Sequence, residues 1–329
     1  MKWFALVSLA LLLVAAAAYR AFIAMPGTSF RGAPPPLTDR QSGLRDALRT
    51  HVSTLALDIG PRHAARPGSL ERAADYIADA FARAGLRADR DVYQGASAWF
   101  ENIQVEIPGV GDGAQIVILG AHYDSVPLSP AANDNGSGIA ALIELARLSR
   151  DKQFHHTLRF VAFANEELPY SHTPDMGSRV YARRARAANE PIIAMLALET
   201  IGFYTDRPNS QRYPAPLRWF YPHTGNFLGF VGDVAARPIV AAAIAAFRQH
   251  ARLPSEGATL PRLLSDIGRS DHKSFWDAGY PAFMVTDTAP FRYPEYHSPR
   301  DTPDKLDFAR LTLAVEGLVH VVDQLAGAR

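Results

Sequence analysis

The chain of 329 residues contains no cysteine. That excludes disulfides, thiolate metal ligands, a cysteine nucleophile and a lipid-modified cysteine. Any metal site must be built from His, Asp and Glu. An excess of one charge is also missing. The 34 Lys and Arg nearly balance the 33 Asp and Glu, and both signs are interspersed. Such a chain offers no footprint for nucleic acid or another polyanion. Internal repeats and low-complexity tracts are absent, although Gly and Pro number 23 and 24. Long apolar runs are absent too, with one exception at the N-terminus.

In that exception, Lys2 precedes an apolar run from Trp3 to Tyr19, and Arg20 closes it. The run matches the apolar core of a signal peptide, and Ala15 to Ala18 supply small residues for cleavage. It falls slightly short of the roughly 20 residues of a full membrane span. Residues 1–25 are therefore expected to be a signal peptide or a membrane anchor through residues 3–19. Either places the rest of the chain outside the cytoplasm. The stretch from Pro26 to Pro36 reads as part of a Pro-rich linker over residues 26–44, with one domain over residues 45–329.

The rest alternates helix and strand patterns. Ser69 reads as the cap of a helix from Leu70 to Ala84, with Leu70, Ala73, Ile77, Phe81 and Ala84 on one stripe and Gly85 as its stop. Residues 115–121 form a short, continuously apolar run, the pattern of a strand buried on both faces, and residues 158–164, 192–198 and 282–286 read as further apolar strands. Helices are expected over residues 137–150, 271–278 and 304–325. This is an α/β pattern: a single domain with a mostly parallel central sheet flanked by helices. In such sheets ligands bind beyond the carboxyl ends of the strands. His122 follows the first run, Glu166-Glu167 the second, Glu199 the third, and His297 lies in the loop after the fourth.

Those residue types fit zinc, which takes His nitrogen and carboxylate oxygen and leaves a position open when catalytic. Two zinc ions can share a bridging carboxylate and a bridging hydroxide. Asp134, at the helix start ANDNGSG, is the natural bridge. His122 and Glu199 complete one zinc, and Glu167 and His297 the other. Four positive charges meet three carboxylates and one hydroxide. Glu166 is left beside the site as the general base that moves the water's proton to the leaving amine.

The segments AHYDS (121–125), ANDNGSG (132–138), NEE (165–167), SDHKSFWDAGYPA (270–282) and YHSPRDT (296–302) resemble, in order, the co-catalytic zinc aminopeptidases. Bacterial leucine aminopeptidases, glutamate carboxypeptidases and glutaminyl cyclases are relatives. The resemblance implies peptide substrates with a free N-terminus, two zinc ions and the ligand set above. It also implies that Tyr296 hydrogen-bonds the oxyanion, that Asp124 holds the His122 ring, and that the peptide bond after Asp134 is often cis. Glu199 departs from the pattern, because many relatives carry Asp there. A glutaminyl cyclase would show Trp where this chain has Tyr296 and would lack the NDNGSG turn. A non-catalytic receptor relative would have lost ligands or the base. A peptidase for acidic substrates would need a basic pocket, and the sequence marks none.

Asp271 reads as the cap of its own helix or, second, as a group facing the zinc or Glu166. His272 reads as structural, and His155-His156 as a polar loop. Tyr170, Arg292 and the aromatic stretch from Tyr204 to Phe230 are candidates for the walls of the substrate cleft, the last as a long covering loop.

Overall fold

The computed structural model describes residues 7, 8, 13 and 16–328, apart from 112 and 216. Most of the apolar run from Trp3 to Tyr19 lies outside the described residues. Among those described, no helix is long and apolar enough to cross a membrane.

One sheet of eight strands organises the molecule: β1 (Asp89–Gln94), β2 (Trp99–Ile107), β3 (Ile116–His122), β4 (Thr157–Phe163), β5 (Ile192–Glu199), β6 (Leu228–Asp233), β7 (Ser255–Leu260) and β8 (Ala282–Thr286). The order across the sheet is β1-β2-β4-β3-β5-β8-β6-β7. The central strands β4, β3, β5 and β8 are mutually parallel, so their carboxyl ends share one edge. β6 runs antiparallel to β8, and β7 runs parallel to β6. β2 pairs antiparallel with both β1 and β4.

The four apolar runs become β3, β4, β5 and β8, each within one residue of expectation. β3 shows why they read as continuous: Val117 and Leu119 enter the apolar cluster on one face, and Ile116 and Ile118 the cluster on the other. A strand covered on both sides has no polar face to alternate with. β1, β2, β6 and β7 were not expected. β1 is a mostly exposed edge strand, and β6 and β7 contain Gly229, Gly232 and Gly257, which weaken the strand pattern.

From residue 39 onward the α-helices among the described residues are α1 (Asp39–Ser53), α2 (Ser69–Arg83), α3 (Gly138–Ser149), α4 (Gly177–Ala187), α5 (Arg237–His250), α6 (His272–Asp277), α7 (Ala289–Arg292) and α8 (Phe308–Ala326). Thr38 caps α1 through a reciprocal pair with Gln41. α1 spans the boundary placed at residue 45, because Leu44, Leu48 and Val52 lie in the core. Ser69 does not cap α2. It lies inside the helix, buried, and its hydroxyl donates to the His63 carbonyl. α8 starts at residue 308 rather than 304, where Asp307 accepts from the Arg310 N–H. Its Leu311, Val315, Leu318 and Val322 are buried. Truncating Leu311 or Leu318 to Ala costs about 2–5 kcal/mol.

Candidate metal centre

Each singled-out side chain sits at the carboxyl edge of the central strands. His122 and Glu199 are the last residues of β3 and β5, Glu166 and Glu167 follow β4, and Asp134 precedes α3. His297 comes from the loop after β8. A close approach between α3 and β5 brings Asp134 in. A Cβ on Gly138 would lie 2.6 Å from the Leu198 carbonyl oxygen, so only glycine fits. Asn135 ties the same junction, donating to Leu198 O at 2.7 Å and accepting from Thr200 N at 3.0 Å. The Asp134-Asn135 peptide is cis.

Two groups of potential ligands result, and they share one residue. His122, Asp134 and Glu199 form the first, and Asp134, Glu167 and His297 the second. Within each group, one donor atom per residue lies within 4.8 Å of the others. His122 Nε2 is 3.3 Å from Asp134 Oδ1 and 3.3 Å from Glu199 Oε2. His297 Nε2 is 3.0 Å from Asp134 Oδ2 and 3.1 Å from Glu167 Oε1. Glu166 belongs to neither group, and its Oε2 is 3.9 Å from His122 Nε2.

The supporting contacts are specific. Asp124 accepts the backbone N–H groups of Glu166 and Glu167, one per carboxylate oxygen, at 2.9 Å each. Its Oδ1 also lies 3.4 Å from His122 Nδ1. Asp301 accepts the N–H of Asn133 at 2.9 Å and of Asp134 at 3.1 Å. Ser270 donates to Glu199 Oε2 at 2.6 Å. Tyr296 stacks on His297 with ring centroids 3.9 Å apart. Backbone strain gathers here as well. Asn165, Thr200 and His297 all have positive φ, and each is a ligand-type residue or its neighbour. Such conformations cost on the order of 1–3 kcal/mol and cluster at functional sites.

Charge makes the same point. Burial raises Glu166 well above the usual carboxylate range, and raises Glu167 to about 7 with help from Asp134. Burial lowers His297, but Asp134 and Glu167 outweigh it and raise the imidazole to about 10. His122 and Asp134 are buried, yet both ring nitrogens of His122 and Asp134 Oδ2 lack hydrogen-bond partners. Buried polar atoms are normally paired. Unpartnered nitrogen and oxygen donors beside several buried carboxylates suit a divalent cation, and this donor set fits zinc.

The remaining candidates separate. Asp271 does not cap α6: no side-chain cap bond forms, and neither carboxylate oxygen has a hydrogen-bond partner. It is buried, raised to about 7 first by that burial, and its charge couples to His122 and Glu199. His272 is structural, with Nε2 2.6 Å from the Ile267 carbonyl oxygen. Arg292 is not a cleft wall. It is buried, bound to Gln211 and the carbonyls of Phe203 and Phe227. Tyr170 packs on Phe100 and meets Ser97. The aromatic stretch does line a pocket: Tyr213, Leu217, Tyr221 and Phe227 join Val231, Ala258 and Met284 around a cavity of about 120 Å³, with Glu199 and Tyr296 among its other lining residues.

Sequence reasoning missed Arg62, Ser270 and Asp301. Arg62 is completely buried and donates to the carbonyls of Tyr123, Leu55, Gly60, Pro130 and Ala131, which fixes the loop between β3 and Asp134. Nothing local marks it. Ser270 and Asp301 lie within SDHKSFWDAGYPA and YHSPRDT, so position in those segments was the available signal.

A family model described as peptidase family M28 matches residues 102–322. Protein YfbL of Escherichia coli (strain K12) is 34% identical over 296 residues, covering 87% of this chain and 90% of that protein. The probable lipoprotein aminopeptidase LpqL of Mycobacterium tuberculosis is 29% identical over 233 residues, covering 64% of this chain and 43% of LpqL. The zinc aminopeptidase BSAP of Bacillus subtilis has the same fold, with TM-score 0.68 and 16% identity over 87% of this chain and 95% of BSAP. A glutaminyl cyclase of Porphyromonas gingivalis also shares it, with TM-score 0.63 and 18% identity over 85% and 98%.

Proposed function

The chain belongs to peptidase family M28 and is a metallopeptidase, and from that premise we propose an exported zinc aminopeptidase that removes the N-terminal residue of peptides. The observation that carries this reading is the pair of ligand groups sharing Asp134, with Glu166 beside them and in neither. His122, Asp134 and Glu199 would hold one zinc, and Asp134, Glu167 and His297 a second. Zinc, when bound, supplies a Lewis acid for the scissile carbonyl and lowers the pKa of water.

The chain's own residues supply the rest. Glu166 lies beside the ligands and belongs to neither group, so it takes a proton from the attacking water and returns it to the departing amine. Asp124 aims both members of the Glu166-Glu167 pair by holding their N–H groups. Tyr296, kept protonated by burial, donates its hydroxyl to the oxygen that becomes negative. The apolar pocket beside Tyr296 and Glu199 takes the side chain of the departing residue. Its walls favour large apolar side chains.

Export follows from residues 3–19, acting as signal or anchor. Attachment through a lipid-modified cysteine is not open to this chain, which has none.

A panel of aminoacyl-anilides tests the reading, with chelator treatment and zinc add-back. Cleavage of leucyl and phenylalanyl anilides, lost on chelation and restored by zinc, is the expected outcome. Zinc-loaded protein that cleaves none of them while cyclising N-terminal glutamine would replace it with the glutaminyl cyclase reading.

A further inference from the structure

Residues 19–29 do not behave as a free linker. Residues 19–22 are helical, and from there to residue 29 the chain follows the edge strand β7 in the opposite direction: Ser255 N–H donates to Ser29 Oγ at 2.9 Å, Met25 packs over Gly257, and Thr259 Oγ1 donates to Ala21 O at 3.1 Å. Arg237 clamps this strap, donating to Ala21 O at 2.8 Å and Ala24 O at 2.7 Å, and Arg248 donates to Pro26 O at 3.0 Å. Phe22 and Ile23 pack into the apolar cluster that also receives Leu217 and Tyr221. The strap therefore reaches Tyr19 just beyond the carboxyl end of β7. There the Tyr19 ring meets Phe220 at 6.1 Å.

Large apolar side chains are left in the open around that point. Trp219 is 69% exposed and Leu263 94%, and Tyr19, Phe220 and Leu264 are exposed as well. Arg262 pairs with Asp233, which keeps the loop after β7 close to exposed Val234. Arg20 and Arg218 are exposed, and neither forms an ion pair among the described residues. Arg218 lies over the Trp219 ring. The sequence that leads into the strap, residues 3–18, has no charged side chain. An apolar rim with interfacial aromatics and free arginines, at the point where an uncharged apolar stretch joins the domain, has the composition of a membrane-contact surface.

We propose that this face rests on a lipid bilayer. Trp219, Phe220, Leu263 and Leu264 enter the interface, and Arg20 and Arg218 face anionic headgroups, whose surface attracts cations. The pocket wall formed by Leu217 and Leu260 then lies behind the contact, and the strand edge carrying His122 and Glu199 faces away from it. The surface is independent of the peptidase reading, because none of these residues belongs to the ligand groups.

The absence of native cysteine makes a single introduced thiol a unique label. The full chain, carrying a solvent-sensitive fluorophore at L263C, would be mixed with vesicles of phosphatidylethanolamine and phosphatidylglycerol. A control carries the label at L128C, on a residue 75% exposed in the loop that follows β3. The expected result is a blue shift and quenching by brominated lipid at position 263, with neither at position 128. Equal behaviour at both positions overturns the proposal. Shielding at position 263 in the absence of vesicles also overturns it, because a second copy of the chain would then cover the face. Hydrolysis measured in the same vesicles succeeds or fails separately.

Discussion

Ser270 donates its hydroxyl to Glu199 Oε2 at 2.6 Å. Glu199 is one methylene longer than the Asp that many relatives carry, and this bond fixes where the extra length goes. Removing it in Ser270→Ala leaves the carboxylate proposed as a ligand free to swing. The expected effect is about a 10–100-fold loss of zinc affinity in the group that contains His122, the usual cost of losing an orienting partner. Metal content after dialysis against graded chelator measures it. Unchanged content would remove Ser270 from the centre.

Glu166→Gln keeps the shape of the side chain and removes the carboxylate proposed as the base. Turnover of aminoacyl-anilides is expected to fall about 10²–10⁴-fold, the range set by general-base catalysis. Zinc content and unfolding temperature should remain as in the parent. A variant that keeps its zinc and its turnover would assign the proton transfer to another group.

Stripping the metal leaves Asp134, Glu166, Glu167 and Glu199 crowded around two imidazoles. Chelated protein should melt below the zinc-loaded form, because ligand that binds only the native state stabilises it by mass action. Elemental analysis is expected to give two zinc ions per chain in the loaded protein and one in Glu199→Ala. One ion in the parent would reduce the centre to a single site.

His272 provides the pH test. Burial lowers its imidazole to about 4, below the ordinary 6.5. The fold therefore holds the neutral ring. Above pH 6.5 the ring is neutral folded or unfolded, and its contribution is complete. As the pH falls from about 6.5 to about 4, the unfolded chain gains a proton that the native state refuses, and about 3 kcal/mol is lost. His272→Gln, which keeps a donor for the Ile267 carbonyl, should show a smaller loss of urea stability between pH 7 and pH 4.5. Parallel curves for variant and parent would rule the ring out.

The part of the fold that was legible in the sequence is the part buried on both faces. β3, β4, β5 and β8 announce themselves because their middles are apolar, with Arg159 of β4 the exception, and the same strands deliver His122, Glu199 and the Glu166-Glu167 pair to one edge. β6 and β7 were illegible because their glycines make room for neighbours: a Cβ at Gly257 would meet Met25 Cγ at 2.8 Å. Arg62 escaped for a related reason. Its role depends on five carbonyls brought to it by chain tracing, not on any pattern around it. Asp271 was misread as a cap because Asp at a helix start usually is one. Here the carboxylate is buried and makes no bond to the helix N–H groups.

The reversal of strand direction between β8 and β6 has an evolutionary consequence. The side chains of both ligand groups come from the parallel half of the sheet or its loops, whereas Val231 and Ala258 of the pocket come from the reversed half. On the proposed reading, mutations that accumulate in β6 and β7 would retune which side chain is accepted while leaving the ligand geometry alone. Descendants of this fold can change diet without having to rediscover their chemistry.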